Sequence, residues 1–402
     1  MNILLSAYAC EPNKGSEPGV GWSWALSYAK KHNVWVITRA NNQLAIEAYL
    51  KDNTVENIEH VTFVYVDLPR KYTWWKKGRR GMRLYYALWQ RKAFKVAQRL
   101  AKEIAFDFVQ HVTFVSYTQP TYLYKLGIPL IWGPVSGGEN IPEEITVKMN
   151  PRERLTELVR KCSQVTALWM PSIKNTMEKS TLILVTTEET KNRIPRKYAN
   201  KTTVLPAIGV DRYPDKDEIE IRGKDIKKIV MAGRLIYWKA FDIGINAFLK
   251  IAEEYEDVEL HVLGEGNQKE QLKKLAGRYF NKRIFFDGTV PHDEILNYYR
   301  QFDLFLNTTL RDSGCMTMME ALSVGIPCVA LDTGGPRVLG QDNEAVELVP
   351  VRSYENTVQS VADKIRHYLN AECEVCPNTI LKTSYDRKCE MICNLFGRMH
   401  NE

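Results

Sequence analysis

The chain has 402 residues, 45% of them hydrophobic and 26% charged, with 55 basic and 48 acidic residues and a formal net charge of +7. That length suits two domains of roughly 150–200 residues, each able to bury a full core, and the composition excludes a disordered or fibrous chain. No apolar run approaches the ~18–20 residues that a membrane span needs. The opening residues, Met1–Pro12, lack the basic start and long apolar core of a signal peptide, so a cytosolic protein with its eight cysteines reduced is expected.

Met1–Ala9 reads as a buried strand. It leads into a loop carrying Gly15, Ser16, Glu17, Gly19 and Gly21, and Trp22–Lys31 follows as a helix. Strand, glycine loop, helix is the entry to a Rossmann-like domain, although the spacing is not G-x-G-x-x-G and a dinucleotide fingerprint is absent. Strands at 34–38 and 61–66 flank a helix at 43–51. Between Asp67 and Glu103 no acidic residue occurs, while Arg70, Lys71, Lys76, Lys77, Arg79 and Arg80 open a basic run that continues to Lys102. Tyr72, Trp74, Trp75, Tyr85, Tyr86 and Trp89 are interleaved with it. No nucleic-acid motif accompanies this charge. Arg70–Lys102, with a helix from Leu84 to Ile104, reads either as a solvated basic helix beside a core-facing aromatic stripe or as a surface for an anionic membrane.

Phe108–Gln110 is a strand ending at His111. A helix at 117–126 and a strand at 128–132 follow, then a second turn-rich loop with Ser136, Gly137, Gly138 and Glu139. A helix at 151–170 and strands at 182–186 and 203–205 complete this half. Strands alternating with helices predict a parallel sheet.

Residues 207–224, with Gly209, Pro214 and a charged run, have no apolar period and read as a linker. The expected domains are therefore 1–206 and 225–384, with a closing helix in 385–402. Lys228–Ala232 restarts the pattern as a strand. The loop after it holds Gly233, Arg234 and Lys239, a guanidinium fork and an ammonium that both suit phosphate. A helix at 240–255 and a strand at 258–263 lead to Gly264-Glu265-Gly266, where glycine would let a base or ribose approach the backbone. A strand at 284–286 and a helix at 293–301 precede the most informative stretch.

That stretch is Asp303–Pro336. A short strand reaches Leu306, Thr308–Gly314 is polar, and Cys315–Val324 reads as a helix closed by Gly325 and Pro327. Cys328–Leu331 is the next strand. The helix N-terminus offers the amides of Gly314, Cys315, Met316 and Thr317 to a phosphate. Asp312 and Glu320 flank it. A carboxylate facing phosphate would repel it, so both acids read as binders of hydroxyl groups; the plainer alternative makes Asp312 a cap and Glu320 a solvated helix residue.

An acid, seven residues, then Glu320-Ala321-Leu322-x-x-Gly325-x-Pro327 resembles the Glu-x7-Glu signature of family 4 retaining glycosyltransferases. Asp312-Ser313-Gly314 resembles a bacterial polysaccharide branch of that family, with an acid one methylene shorter than the usual Glu. Gly233-Arg234-Leu235 and Lys239 resemble its basic pair, with Ala240 where Gly is usual. The resemblance covers nearly the whole chain and is strongest from Lys228 to Pro336. It implies an α/β chain of the GT-B fold: two Rossmann-like domains facing across a cleft, acceptor on the first and donor on the second, with the last helix crossing back.

The resemblance further implies transfer of a hexose-type sugar, with retention, from a UDP- or GDP-linked donor to a glycan or lipid-linked glycan acceptor in bacterial surface polysaccharide synthesis. Such an enzyme is cytoplasmic, with peripheral attachment to the inner face of the cell membrane as one option, and requires no cofactor or metal. Arg234 and Lys239 would bind the diphosphate, Glu320 the ribose, and Asp312 and His111 the transferred sugar; Arg234, Lys239, Asp312 and His111 are the expected catalytic set. Gly233, Gly264, Gly266 and the Gly314–Thr317 amides complete the donor side. The loops of Gly15–Gly21 and Ser136–Glu139 belong to the acceptor side. Front-face attack and a covalent intermediate both remain open, and a nucleotide-sugar epimerase or an inactive sugar-nucleotide-binding module on the same fold are the alternatives. Cys373-x2-Cys376-x12-Cys389-x3-Cys393 resembles zinc-ligand spacing, but Cys389 and Cys393 fall four apart on a helix, the spacing of a buried face, and no zinc is expected.

Overall fold

Short runs of β-branched and aliphatic residues, buried on both faces, build two all-parallel sheets. The computed structural model describes residues 1–69, 75, 81–114, 116–146, 148–209, 228–370 and 384–401. The first sheet contains β1 (Asn2–Ser6), β2 (Asn33–Arg39), β3 (Val61–Val66), β4 (Phe108–His111), β5 (Leu130–Val135), β6 (Leu182–Val185) and β7 (Thr202–Val204), in the order β3-β2-β1-β4-β5-β6-β7. The second contains β8 (Lys228–Ala232), β9 (Glu259–Leu263), β10 (Ile284–Gly288), β11 (Leu304–Asn307), β12 (Cys328–Leu331) and β13 (Val346–Val349), in the order β10-β9-β8-β11-β12-β13. Helices surround both, and the expected α/β class with two Rossmann-like sheets is what forms.

Each strand order reverses once, between β1 and β4 in the first sheet and between β8 and β11 in the second. Loops leaving the carboxyl ends of such a pair splay apart and leave a crevice, which is where open parallel sheets take ligands. The loops after β8 and β11 are the ones that carry Arg234, Lys239 and Asp312.

The described residues fall into two compact units. The first takes in Met1–Gly138, Lys161–Gly209 and Ser384–Glu402; the second takes in Glu139–Arg160 and Val210–Thr383. Residues 139–160, inside the expected span 1–206, pack with the second unit. Ile141 and Ile145 explain this: both are buried in the second unit's core, alongside Ile229, Met231, Phe241 and Phe248. The last helix, Tyr385–Asn401, packs on the helix Ser16–Ala29. Tyr385 meets Trp24 edge-on with ring centroids 5.8 Å apart, and Asp386 and Glu390 pair with Lys30 and Lys31, both at 2.5 Å. Most of the expected linker, 210–224, lies outside the described residues, as do Cys373 and Cys376.

The helix Met82–Glu103 buries Tyr85, Tyr86, Trp89, Ala93 and Ala97 against β1 and β4 side chains. Tyr85, Tyr86 and Trp89 are therefore core, contributing about 1.5–3 kcal/mol each through burial, and are not offered to a membrane. Residues 70–74 and 76–80 of the basic segment lie outside the described residues. Among the described residues no helix is long and apolar enough to cross a membrane.

Candidate functional site

The loop after β8 descends from Gly233 into a single tight turn, Tyr237–Lys239, and then the helix Phe241–Ile251. The loop after β11 runs beside it. Leu310 donates its amide to the Trp238 carbonyl at 2.9 Å, and the Thr308 hydroxyl donates to the Ala240 carbonyl at 2.8 Å. These bonds fix the two loops together before any side chain of the site is considered.

Lys239 and Asp312 form an ion pair across this junction, with side chains only 18% and 22% exposed. Asp312 also accepts the amides of Gly314 at 3.1 Å and Cys315 at 3.4 Å through its other oxygen. Burial alone would raise the Asp312 carboxyl; the Lys239 ammonium and the two amides outweigh it and hold the group below its usual range. Burial likewise opposes the charge on Lys239, and Asp312 restores it above the ordinary value. Two of the amides expected to face a phosphate thus hold a carboxylate of the chain itself. The short Asp312 side chain reaches the amides two and three residues ahead, in the turn before the helix Met316–Ser323, whose N-cap Cys315 makes no side-chain cap hydrogen bond.

Arg234 is exposed, and among the described residues no carboxylate pairs with it. Glu320, inside the helix Met316–Ser323, is different. Its side chain is 14% exposed, and its nearest charge partner is His292, whose Nδ1 lies 3.6 Å away, beyond hydrogen-bonding distance. Desolvation pushes the Glu320 carboxyl up to about 7, and burial lowers the His292 imidazole. A carboxylate held in low dielectric without a donor is a ready acceptor for two vicinal hydroxyls.

The glycines have a structural cause that the sequence does not reveal. A Cβ on Gly264 would lie 1.9 Å from the Gly233 carbonyl oxygen, and one on Gly266 would lie 2.1 Å from that of Leu235. The expected close approach of base or ribose is thus an approach of one loop backbone to another, sealed by the Leu235 amide on the Glu265 carbonyl at 3.0 Å. Gly334 and Gly335, absent from the expected set, do the same for the loop after β11. The Gly335 amide donates to the Asp312 carbonyl at 2.8 Å, and a Cβ on Gly334 would meet that oxygen at 2.4 Å. The turn signature Thr333-Gly334-Gly335-Pro336 straight after a strand was the available signal.

Four more residues escape the sequence. Arg311 Nη1 donates to both oxygens of Glu157 at 2.5 Å, Tyr237 donates its hydroxyl to Glu157 Oε1 at 2.6 Å, and the guanidinium lies 4.7 Å from the Trp238 ring centroid. Glu157 sits on the helix Pro151–Ala167, distant in sequence from both loops, and the pair is nearly buried. It bolts the Tyr237–Lys239 turn to the residue preceding Asp312. Glu139, expected on the acceptor side, also belongs to the second unit. Its side chain is buried, and a Cβ on Gly334 would lie 3.2 Å from its Cγ.

In the first unit, His111 ends β4 fully buried. Its Nε2 lies 3.2 Å from the Tyr86 hydroxyl, and its Nδ1 has no partner. Burial lowers its pKa to about 4, so the ring is neutral. The first glycine loop is shorter than expected, because the helix begins at Ser16 and already contains Glu17, Gly19 and Gly21. A Cβ on Gly19 would meet the Lys14 carbonyl oxygen at 1.9 Å and one on Gly21 that of Ala9 at 2.1 Å, so these glycines, too, admit backbone. Gly15 is the N-cap, extended. Of the second loop, Gly138 donates its amide to the Thr190 hydroxyl at 3.1 Å, Gln164 donates to the Gly137 carbonyl at 2.6 Å, and Ser136 accepts at its carbonyl from the Tyr117 amide at 2.9 Å.

Two cations, a helix N-terminus and a desolvated carboxyl thus lie on the loops and helix at the switch point of a parallel α/β sheet, the place where such sheets take ligands. Residues 213–380, which hold all of these groups, match the family model of group 1 glycosyl transferases. A human phosphatidylinositol N-acetylglucosaminyltransferase subunit is 32% identical over 163 residues, 40% of this chain and 34% of its own length. An uncharacterized glycosyltransferase, MJ1069, of Methanocaldococcus jannaschii is 25% identical over 161 residues, 38% of this chain and 41% of its own length. The match thus spans less than half of either relative.

Among solved structures, the lipopolysaccharide outer core galactosyltransferase WaaB in its apo form has a TM-score of 0.62 at 15% identity, covering 99% of this chain and 100% of its own. Anabaena HepE in complex with UDP and glucose has a TM-score of 0.56 at 15% identity, covering 98% and 99%. At such identity the likeness is one of fold, the GT-B fold of glycosyltransferases.

Proposed function

We propose that the chain is a retaining glycosyltransferase of the family 4 type, moving a hexose-type sugar from a UDP- or GDP-linked donor to a glycan or lipid-linked glycan acceptor in bacterial surface polysaccharide synthesis. The observation that carries this reading is that Lys239 and Asp312 meet just before the N-terminus of the helix Met316–Ser323, at the switch point of the second sheet, with Arg234 on the same loop as Lys239 and Glu320 one turn into that helix. When the glycosidic bond breaks, negative charge grows on the leaving diphosphate. Arg234 and Lys239 are the fixed cations that would meet it, together with the Met316 and Thr317 end of the helix. Glu320 would accept from the ribose hydroxyls. Asp312 would turn from Lys239 toward the transferred sugar once a phosphate takes over the cation. The neutral imidazole of His111 would act by hydrogen bonding rather than as a charged group.

A panel of UDP- and GDP-sugars screened by thermal shift identifies the donor. Transfer to an acceptor glycan is then followed by NMR at the new anomeric centre, in EDTA. A retained configuration and activity undiminished by the chelator are expected. An inverted product, a product epimerised without acceptor, or activity restored only by Mg²⁺ or Mn²⁺ would replace this reading with another.

A further inference from the structure

The helix Pro151–Ala167 is turned the wrong way round for a surface helix. Its inward side is polar. Glu157 is buried and accepts from the Arg311 guanidinium and the Tyr237 hydroxyl. Arg160 Nη1 donates to the Glu139 carbonyl at 2.6 Å, and the Gln164 amide donates to the Gly137 carbonyl at 2.6 Å. Residues 157, 160 and 164 are three and four apart and share one face. The opposite face is apolar. Leu155, Leu158, Val159 and Val165 are 61%, 58%, 60% and 53% exposed, and Cys162 is exposed among them. Just past the helix end, Trp169 and Met170 are 75% and 47% exposed.

A helix on a protein surface ordinarily points its apolar stripe at the core. Single exposed apolar side chains need no explanation, but a contiguous stripe marks a surface that something else covers. Among the described residues, six of the nine large exposed hydrophobic side chains fall between Leu155 and Met170. The inward bonds of Glu157, Arg160 and Gln164 hold the helix in this orientation, so the stripe stays outward.

The charges around the stripe select its occupant. From Pro151 to Met177 the exposed charged residues are Arg152, Arg154 and Lys174, all basic; Glu153 is half-buried and accepts from the Asn150 amide at 3.0 Å. Exposed carboxylates resume only at Glu144 on one side and Glu178 on the other. A second copy of the chain would bring the same cations to the contact, like charge against like. An anionic bilayer complements both features. Its acyl boundary takes the apolar side chains, its headgroup layer suits an indole, and its phosphates attract the cations.

We propose that the outward face of the helix Pro151–Ala167, continued by Trp169 and Met170, docks the protein on an anionic lipid bilayer. Leu155, Leu158, Val159 and Val165 enter the interface, and Arg152, Arg154 and Lys174 meet the headgroups. This surface is distinct from Arg70–Lys102, and it does not depend on the glycosyltransferase reading.

The test floats the full chain with vesicles of phosphatidylcholine alone and of mixed phosphatidylcholine and phosphatidylglycerol, at low and high salt. The chain is expected to float with the anionic vesicles at low salt, and much less with neutral vesicles or at high salt. Leu158→Glu/Val159→Glu changes two exposed side chains and should leave the melting temperature unchanged. It should weaken partition at least tenfold, the scale of losing one buried leucine. Arg152→Glu/Lys174→Glu should weaken it at least about fivefold on anionic vesicles, the scale of one basic residue at such a surface. Quenching of tryptophan fluorescence by doxyl-labelled lipid should be smaller in Trp169→Phe than in the parent. No flotation at low salt, or equal flotation of the parent and Leu158→Glu/Val159→Glu, overturns the proposal. So does self-association of the parent without vesicles that the same variant abolishes in sedimentation, because a second copy would then cover the face.

Discussion

Lys239 and Asp312 neutralise one another where a diphosphate is expected to bind, and the same Asp312 carboxylate takes the amides of Gly314 and Cys315. The free site is thus closed by an anion of the chain itself. Asp312→Asn keeps an oxygen for the amides and removes the charge opposite Lys239. Bare UDP or GDP should then bind more tightly, by up to about tenfold, the scale of removing one like charge from a partly solvated site. Sugar transfer should fall, because the amide is a poorer acceptor for the sugar hydroxyls. Calorimetry and turnover measure the two effects; weaker nucleotide binding in the variant would show that the pair does not oppose the ligand.

Glu320 offers a test by pH. Burial places its carboxyl at about 7 in the folded chain, against about 4.3 unfolded. Below the unfolded value both states are protonated and nothing is lost. Between that value and about 7 the unfolded chain sheds its proton first, so stability declines as pH rises, by about 4 kcal/mol at most. Glu320→Gln is neutral throughout. Its melting temperature should exceed the parent's more at pH 8 than at pH 5.5. Its affinity for the nucleotide should drop, since an ionised carboxylate is the better partner for ribose. In the parent chain, nucleotide binding near pH 6.5 should release protons, read as a dependence of calorimetric heat on buffer ionisation enthalpy.

Arg234 is the exposed cation of the site. Arg234→Ala should lower turnover roughly 10²–10³-fold, the scale of losing one preorganised donor to developing charge. The melting temperature should change little, because among the described residues no carboxylate pairs with the side chain. A folded variant with turnover near the parent's would remove Arg234 from the mechanism.

Much of this was legible in the residues. Alternating apolar runs and helices gave the parallel sheets, and the turn chemistry of Thr308–Pro327 located the helix Met316–Ser323 to within a residue at each end. Arg234, Lys239, Asp312 and Glu320 stood out because cations and acids at fixed distances from a helix start have few other uses. What stayed hidden depends on three dimensions. Local pattern does not show that Gly264 faces the Gly233 carbonyl, that Glu157 reaches Arg311 from a helix 154 residues away, or that Ile141 and Ile145 draw 139–160 into the second unit. The helix at Ser16 was placed late because its glycines read as loop, whereas they admit the backbone of residues 9–14.

The Glu157–Arg311 pair makes a separate prediction. Glu157→Ala leaves a nearly buried guanidinium without a counter-charge and the Tyr237 hydroxyl without an acceptor, at a cost of about 3–5 kcal/mol. Glu157→Gln retains one acceptor and should lose less. In both, kcat should fall more than donor KM rises, because the Tyr237–Lys239 turn loses its brace while the phosphate ligands remain. Equal melting temperatures for Glu157→Ala and the parent would show that the pair carries no structural load.

The central claim is that the second unit binds a nucleoside diphosphate through Arg234, Lys239 and Glu320. Calorimetric titration of UDP and of GDP into the full chain, in EDTA, measures this directly, with Arg234→Ala/Lys239→Ala and Glu320→Gln run in parallel. One of the two nucleotides should bind at a single site without added metal, at least tenfold more weakly to each variant. Binding of neither nucleotide to the parent chain, or equal binding to all three chains, would contradict the account.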